Sequence, residues 1–290
     1  MSRTFGALAS TPILEKSVIS ENIVNFFDKY NLLSHKQHGF IKNKSTATAI
    51  SSFLNFIFQQ LANRNYCLVI FIDFTRAFDS ITHGKLLHKL EKYGFRGLSY
   101  QWLSSFLKDR SQVISVEFFN STTNTKQKVL STPLPINRGT FQGNKLATDL
   151  FNAFLNDLFT YLLEGVENDN NVDITGYADD VSVSISDADP NRLQEKATQI
   201  LTRLELWSED NGLHVNIDKT KFLIFNHSLT TLPSFKLPYS QGSIDPCKTF
   251  KYLGLTISAD LKWSEHINLL NRSLPKSCYM FQIIRNSAPT

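Results

Sequence analysis

Asn171-Val-Asp-Ile-Thr-Gly-Tyr-Ala-Asp-Asp-Val-Ser-Val-Ser-Ile185 reads as a β-hairpin. Its second half alternates, with Val181, Val183 and Ile185 on one side of a strand and Ser182, Ser184 and Ser186 on the other. Val172 to Tyr177 reads as a shorter partner strand, and Ala178-Asp179-Asp180 between them suits a tight turn. The hairpin therefore carries two adjacent carboxylates at its tip. Asp pairs are most often solvated turn residues. This pair differs in lying between two apolar strands, with a third carboxylate in a matching setting upstream. Asp73 ends Tyr66-Cys-Leu-Val-Ile-Phe-Ile-Asp73, a continuous apolar run of the kind buried on both faces of a sheet. Polar groups that terminate buried strands are the usual place for chemistry. Asp73, Asp179 and Asp180 side by side repel unless cations neutralise them. Carboxylate and water ligands suit Mg²⁺, held by one or two carboxylates plus substrate phosphates. Two such ions, roughly 3.5–4 Å apart, clamp the attacking and leaving oxygens of an in-line phosphoryl displacement.

The totals bound the rest. With 290 residues, 42% hydrophobic and 19% charged, the chain makes one large domain or two intimately packed ones. Cys67, Cys247 and Cys278 show neither paired nor metal-ligand spacing and read as buried thiols of an intracellular, reducing compartment. No apolar run approaches the roughly 18 residues of a membrane span, and the N-terminal stretch lacks the apolar segment of a signal peptide. The formal net charge is +4, unevenly spread. Residues 1–150 carry 18 Lys and Arg against 9 Asp and Glu; residues 151–290 carry 12 against 17. A basic half and an acidic half fit a phosphate-rich partner on one part and metal ions on the other. Chance and solubility explain the same asymmetry about as well.

Taken in order, Ile13 to Tyr30 has the spacing of an amphipathic helix. Gln37-His-Gly-Phe-Ile-Lys-Asn-Lys-Ser-Thr46 is a loop in which Lys42 and Lys44 are candidate phosphate contacts, and Ser45 or Thr46 can cap a helix over Ala47–Ala62. Two solvated loop lysines are the commoner case. His83 to Tyr93 reads as a basic helix with Lys85, His88, Lys89 and Lys92, stopped by Gly94 and Gly97, and Trp102 to Leu107 as a second helix. Ser111–Phe119 and Gln127–Leu130 look like a hairpin. In Ile136-Asn-Arg-Gly-Thr-Phe-Gln-Gly143, Gly139 and Gly143 permit close approach of another backbone or a base pair. Gln142 offers a donor and an acceptor there, and a helix over Lys145–Leu158 follows. Asn191–Ser208 is an amphipathic helix, Lys221–Phe225 a strand, and Phe250–Ile257 a further strand with a central Gly254; from Ser264 the chain is helical as far as Pro275.

These blocks, in this order, resemble the reverse transcriptase domain of non-LTR (LINE-type) retrotransposons. Residues 37–46 resemble the fingers block and Phe71-Ile-Asp-Phe-Thr-Arg-Ala-Phe-Asp79 the first catalytic block. Gly139-Thr-Phe-Gln-Gly143 with Leu150–Asp157 resembles the template–nucleotide block, and Tyr177-Ala-Asp-Asp180 the metal-binding hairpin. Gly212–Lys221 resembles the block whose lysine lies near the triphosphate, and Phe250-Lys-Tyr-Leu-Gly254 the primer grip. Tyr-Ala-Asp-Asp alone is a weak signal; six blocks in order are a strong one.

The resemblance implies an α+β polymerase right hand. Fingers would cover about 1–65 and 80–137, an antiparallel palm with packed helices about 66–79 and 138–262, and a partial thumb helix 263–290. It implies RNA-directed DNA polymerisation with an RNA template, a DNA primer, dNTPs and two Mg²⁺, with Mn²⁺ as an alternative. Asp73, Asp179 and Asp180 would hold the metals and Lys219 would sit near the leaving pyrophosphate. Phe74 and Phe78 would lie against the nucleotide, Phe78 excluding a ribose 2′-hydroxyl. Gln142 and Gly143 would position the new base pair, Lys42 and Lys44 would meet triphosphate or template, and Tyr252, Leu253 and Gly254 would form the primer grip.

The chain also departs from the family pattern. Ile41 and Lys44 stand where arginines are usual, Phe141 replaces the proline before Gln142, Asn144 replaces the serine after Gly143, and Thr148-Asp149 replaces Pro-Leu. Ile cannot hold a phosphate as a guanidinium does. Upstream fingers segments, most of a thumb and an endonuclease are missing from the pattern, as in a divergent or decaying copy. The alternative is therefore an inactive remnant that folds and binds nucleic acid without synthesis. A metal-dependent nuclease or nucleotide cyclase on a similar palm leaves Phe78, Gln142 and residues 250–254 without work.

Overall fold

The computed structural model describes residues 13–108, 110–120, 125–140, 145–164, 170–226, 235–240 and 242–287. The first part of the chain forms α1 (Ile13–Lys29), α2 (Thr46–Ala62), β1 (Tyr66–Ile72), α3 (Ala77–Ser80), α4 (His83–Lys92) and α5 (Gly97–Leu107). Then come β2 (Arg110–Gln112), β3 (Ser115–Asn120), β4 (Thr125–Leu130), β5 (Leu134–Ile136), α6 (Lys145–Leu163), β6 (Val172–Tyr177), β7 (Asp180–Asp187) and α7 (Pro190–Asn211). The last elements are β8 (Lys221–Phe225), β9 (Leu237–Tyr239), β10 (Gly242–Ile244), β11 (Thr249–Tyr252), β12 (Leu255–Ser258) and α8 (Ser264–Ser287). This is the expected α+β class. The chain divides into two units, one of residues 1–35, 75–158 and 208–214, the other of residues 36–74, 159–207 and 215–290.

The second unit is built on a four-stranded sheet of order β6-β7-β1-β8, antiparallel throughout. β1 is central, and Cys67 to Ile72 are all buried, as an unbroken apolar run requires. On one face Cys67, Val69 and Phe71 join Phe53, Phe56 and Ile57 of α2, Leu223 and Phe225 of β8, and Tyr252 and Ile257. Phe71 stacks on Phe250 with ring centroids 4.2 Å apart, and Phe53 lies 5.4 Å from the Tyr252 ring. Each such buried ring stabilises the fold by about 1.5–3 kcal/mol. α2 reaches this face because Ala49, Phe53, Phe56, Ile57 and Gln60 recur along one stripe. It starts at a capping box: Ser45 Oγ accepts from the Thr48 N–H while Thr48 Oγ1 accepts from the Ser45 N–H at 2.9 Å.

The serines of β7 lie on this same face, since Ser182 pairs with Phe71, Ser184 with Val69 and Ser186 with Cys67. All three are buried. Their alternation with valine thus separates two buried faces and not an inside from an outside. Ser182 Oγ donates to the Tyr252 hydroxyl at 3.2 Å and Ser186 Oγ to the Asn171 side-chain oxygen at 3.2 Å, which satisfies groups that would otherwise be costly to bury.

In the first unit, Phe26 and Phe27 of α1 meet Phe95 at 4.6 and 5.7 Å. Asn156 of α6 donates to Leu32 O and to the Tyr93 hydroxyl. Asp149 is buried, and the Ser20 hydroxyl donates to it at 2.5 Å. Lys89 is no part of a solvated basic face: it is 8% exposed, and its ammonium donates to Phe154 O at 2.8 Å and to Asp157 at 2.6 Å.

Several element boundaries differ from the sequence reading. Gly97 does not end the preceding helix but opens α5, at φ 58°. Residues 250–257 are not one strand. They belong to two, β11 and β12, joined by a two-residue turn at Leu253 (φ 48°) and Gly254 (φ 87°). Two successive positive-φ residues are the signature of the hairpin turn whose twist matches its strands. Pro275 does not end the last helix, which continues through it to Ser287.

Candidate active site

Register brings the acidic residues together within the second unit. Ile72 pairs with Val181 across β1 and β7, so Asp73, one residue on, falls opposite Asp180. Tyr177 pairs with Asp180 across the hairpin, leaving Ala178 and Asp179 as its two-residue tip. Asp180 is thus the first residue of β7 and not part of the turn proper. A cleft of about 320 Å³ is lined by Phe71, Asp73, Asp180, Lys219, Phe250, Lys251 and Tyr252, among others.

The backbone of Asp73 is held from the β8 side. Its N–H donates to Thr220 Oγ1 at 3.2 Å, and its carbonyl accepts from the Asn216 N–H at 2.7 Å. The Asn216 carboxamide also accepts from the Lys219 N–H at 3.4 Å. Lys219 Nζ lies 3.8 Å from the Asp73 carboxylate and is 70% exposed, so this pair adds little stability and leaves the ammonium available to a ligand. Although Asp180 is among the exposed residues, its carboxyl sits above the ordinary carboxylate range. The first cause is partial loss of its water; the others are the Asp179 and Asp73 charges facing it.

These residues fit a divalent cation by their chemistry. Carboxylates gathered at one cleft repel each other, and a divalent cation offsets that repulsion. Among the described residues no group of three carboxylates, imidazoles or thiols converges on a single ion position. The arrangement therefore suits a metal held by one or two carboxylates and completed by substrate phosphates and water.

The hairpin tip is strained and braced. Ala178 adopts φ 56°, a conformation that costs an L-residue about 1–2 kcal/mol. Gln37, 1% exposed, accepts from the Ala178 N–H at 3.0 Å through Oε1 and donates to the Ala178 carbonyl at 3.2 Å through Nε2. Oε1 also accepts from the Gly39 N–H at 2.7 Å. Residues 36–38 extend the sheet beside β6: the His38 N–H donates to Gly176 O and the Gly176 N–H to Lys36 O. Gly39 must lack a side chain, because a Cβ there would stand 2.1 Å from the Ala178 nitrogen. Lys44 Nζ donates to Gln37 O at 2.8 Å, and burial pulls its ammonium below the usual lysine range. The sequence offers this loop as a candidate phosphate contact or, more commonly, a solvated loop, and neither reading includes a bracing role for Gln37. The available signal was a glutamine and a glycine two apart in a basic loop, which does not reveal its contact 141 residues away.

The remaining predicted residues fall as follows. Phe74 is buried, 6.4 Å from the Trp207 ring, and its backbone bridges to Val215. Lys42 is exposed. Tyr252 is 3% exposed, bonded to Ser182, with its phenol pushed far up by burial. Leu253 and Gly254 form the open turn beyond it. In the first unit Phe78 stacks on Phe151 with centroids 4.1 Å apart. Gly139 there packs on the Asp79 backbone, the close approach its lack of a side chain allows. Gln142 and Gly143 lie outside the described residues.

Comparison with known proteins gives a consistent picture. The family described as reverse transcriptase (RNA-dependent DNA polymerase) matches residues 12–257. The "RNA-directed DNA polymerase from mobile element jockey" of Drosophila melanogaster is 24% identical over 93% of this chain and 27% of that protein. The "Probable RNA-directed DNA polymerase from transposon BS" of the same organism is 28% identical over 93% of this chain and 29% of that one. The chain thus spans under a third of these relatives' length. Among solved structures, apo telomerase from Candida tropicalis, truncated from its C-terminal domain, aligns with a TM-score of 0.52 at 11% identity. The match covers 88% of this chain and 45% of that one, and shows a common fold.

Proposed function

We propose, from the premise that this chain belongs to the reverse transcriptase (RNA-dependent DNA polymerase) family, that it catalyses RNA-templated DNA synthesis for a non-LTR retrotransposon. The reading rests above all on Asp73 and Asp180 facing each other across β1 and β7, with Asp179 beside them at the hairpin tip. The four-stranded sheet is then the palm, and the template, primer and dNTPs are the partners. No helix among the described residues is long and apolar enough to cross a membrane.

In this mechanism Asp73 and Asp179 would hold two divalent cations, Mg²⁺ or Mn²⁺, with Asp180 supporting the charge. When bound, such ions lower the pKa of the primer 3′-hydroxyl and neutralise the triphosphate. Lys219, exposed beside Asp73, meets the departing pyrophosphate and supplies its proton. Lys42 contacts triphosphate or template. Lys44 acts at one remove, by tethering the Gln37 carbonyl. Phe78, fixed by its stack on Phe151, takes the sugar-gate role of the family's first catalytic block, and Gln142 and Gly143 take the base-pair role of its template block. The Phe74 backbone lies against the nucleotide, while the Leu253–Gly254 turn, anchored by buried Tyr252, grips the primer.

The test is extension of a DNA primer on an RNA template with dNTPs and Mg²⁺. Expected is extension by the unaltered protein and a loss of about 10²–10³-fold in Asp179→Asn, the scale of removing a key electrostatic group. Extension that persists in that variant sinks the assignment. A second reading, a chain that holds RNA–DNA duplex without synthesis, is favoured by Ile41 standing where a phosphate-binding arginine is usual. Duplex binding without extension by the unaltered protein would establish it.

A further inference from the structure

Every hydrogen bond that Gln37 makes to the hairpin goes to Ala178, the residue between Tyr177 and the Asp pair. Its carboxamide pairs with both the N–H and the carbonyl of this one residue, at 3.0 and 3.2 Å. The carboxamide is itself oriented by the Gly39 N–H at 2.7 Å. Its own carbonyl is tied by Lys44, and the peptide on either side is stitched to Gly176. Ala178 is held where an L-residue is strained, at φ 56°. The directions in which Asp179 and Asp180 leave the backbone follow from that angle. A buried side chain whose carboxamide makes three hydrogen bonds, and that clamps the strained residue next to two acidic groups, has a geometric job beyond filling space.

We infer that Gln37 is a positioning residue for the acidic pair. It holds Ala178 left-handed, and thereby sets the separation of Asp179 and Asp180 from Asp73 that cation binding requires. The inference rests on the polymerase reading only for its kinetic consequence; the effect on cation binding stands without it. Gly39 belongs to the same device, since only a residue without Cβ lets the Gln37 segment approach the Ala178 nitrogen.

The experiment compares the full chain with Gln37→Met, which keeps the volume and loses all three carboxamide bonds, and Gln37→Glu, which keeps the acceptor and loses the donor to Ala178 O. Mn²⁺ affinity is measured by water-proton relaxation without nucleic acid, and kcat, KM for dNTP and the half-saturating Mg²⁺ by primer extension. Expected is a 10–100-fold loss, roughly, in Mn²⁺ affinity and in kcat for Gln37→Met, the usual scale for groups that orient metal ligands. KM for dNTP stays within about 3-fold, since the loss is in orientation and not in uniform binding.

Gln37→Glu has a diagnostic sign. An added negative charge by itself tightens Mn²⁺, whereas lost positioning loosens it, and loosening is expected. Should Gln37→Met not fold, Gln37→Glu decides alone. A folded variant with unchanged Mn²⁺ affinity overturns the inference, as does tighter Mn²⁺ in Gln37→Glu. If the unaltered protein extends no primer, the polymerase reading fails and the relaxation titration still decides the positioning role.

Discussion

A lysine in a helix full of leucines shows how far a single residue can depart from its type. Lys89 is flanked in sequence by other basic residues, yet the fold buries it and gives its ammonium the Phe154 carbonyl, the Asp157 carboxylate and, at 4.4 Å, the Phe154 ring. Burial pulls its pKa below the usual lysine range, opposed mainly by Asp157. Asp157 keeps 45% of its side chain exposed, so it can return to water when the lysine is removed. Lys89→Ala is expected to destabilise the protein by about 2–4 kcal/mol, from lost packing and an unpaired carbonyl. Lys89→Met, which retains the alkyl stem, should cost roughly half as much. Urea unfolding monitored by circular dichroism measures both; equal losses would place the whole effect in the charge. The acidic residues differ in kind. Asp73 and Asp180 gain their meaning from each other, and neither composition nor local pattern reveals that they are cross-strand neighbours.

At the scale of the element, turns carry most of the information. The Ala178–Asp179 and Leu253–Gly254 turns both need left-handed backbone, but they secure it differently. Ala178 is clamped by Gln37, whereas at Gly254 the absence of a side chain suffices. A Cβ at Gly254 would meet nothing within 4 Å, so Gly254→Ala isolates the backbone term. Expected is a loss of about 1–2 kcal/mol, seen as a melting temperature lower by roughly 2–6 °C. An unchanged melting temperature would mean that the turn is not left-handed in solution. The alternation of Val and Ser in β7 was legible as a strand, and so was the unbroken apolar run of β1. The turn splitting 250–257 was not, because Leu253 is a poor turn residue and a lone glycine in a strand reads equally as a bulge. The helix through Pro275 was hidden by the general rule that proline ends helices.

For the whole molecule, chain order and spatial order part company. The basic first half and acidic second half do not correspond to bodies in the structure. Counted over the two units, the first holds 14 Lys and Arg against 11 Asp and Glu and the second 16 against 15. The asymmetry largely vanishes because residues 36–74 and 75–158 belong to different units. The central position of β1 has a testable consequence. Cys67 is fully buried at the middle of the second unit, and burial drives its thiol far above the ordinary cysteine range. Cys247 is half-buried, with its thiol pushed up to about 11. At pH 8, iodoacetamide should label Cys67 only across the urea unfolding transition, and Cys247 slowly in native buffer, as read by peptide mass spectrometry. Native labelling of Cys67 at the rate of Cys247 would contradict a single cooperative core around β1.

The hairpin and the buried strand ending in Asp73 were determined by sequence alone, because each depends on residues close in the chain, and the order of the blocks carried the resemblance that implied the α+β class. Local period and turn chemistry are short-range physics. Tertiary structure alone decided that Asp73 falls opposite Asp180, that the serine face of β7 is buried, and that Gln37 grips Ala178 from 141 positions away. These follow from strand register and close backbone approach. They arise only once distant segments share a core, where every buried polar group must find a partner.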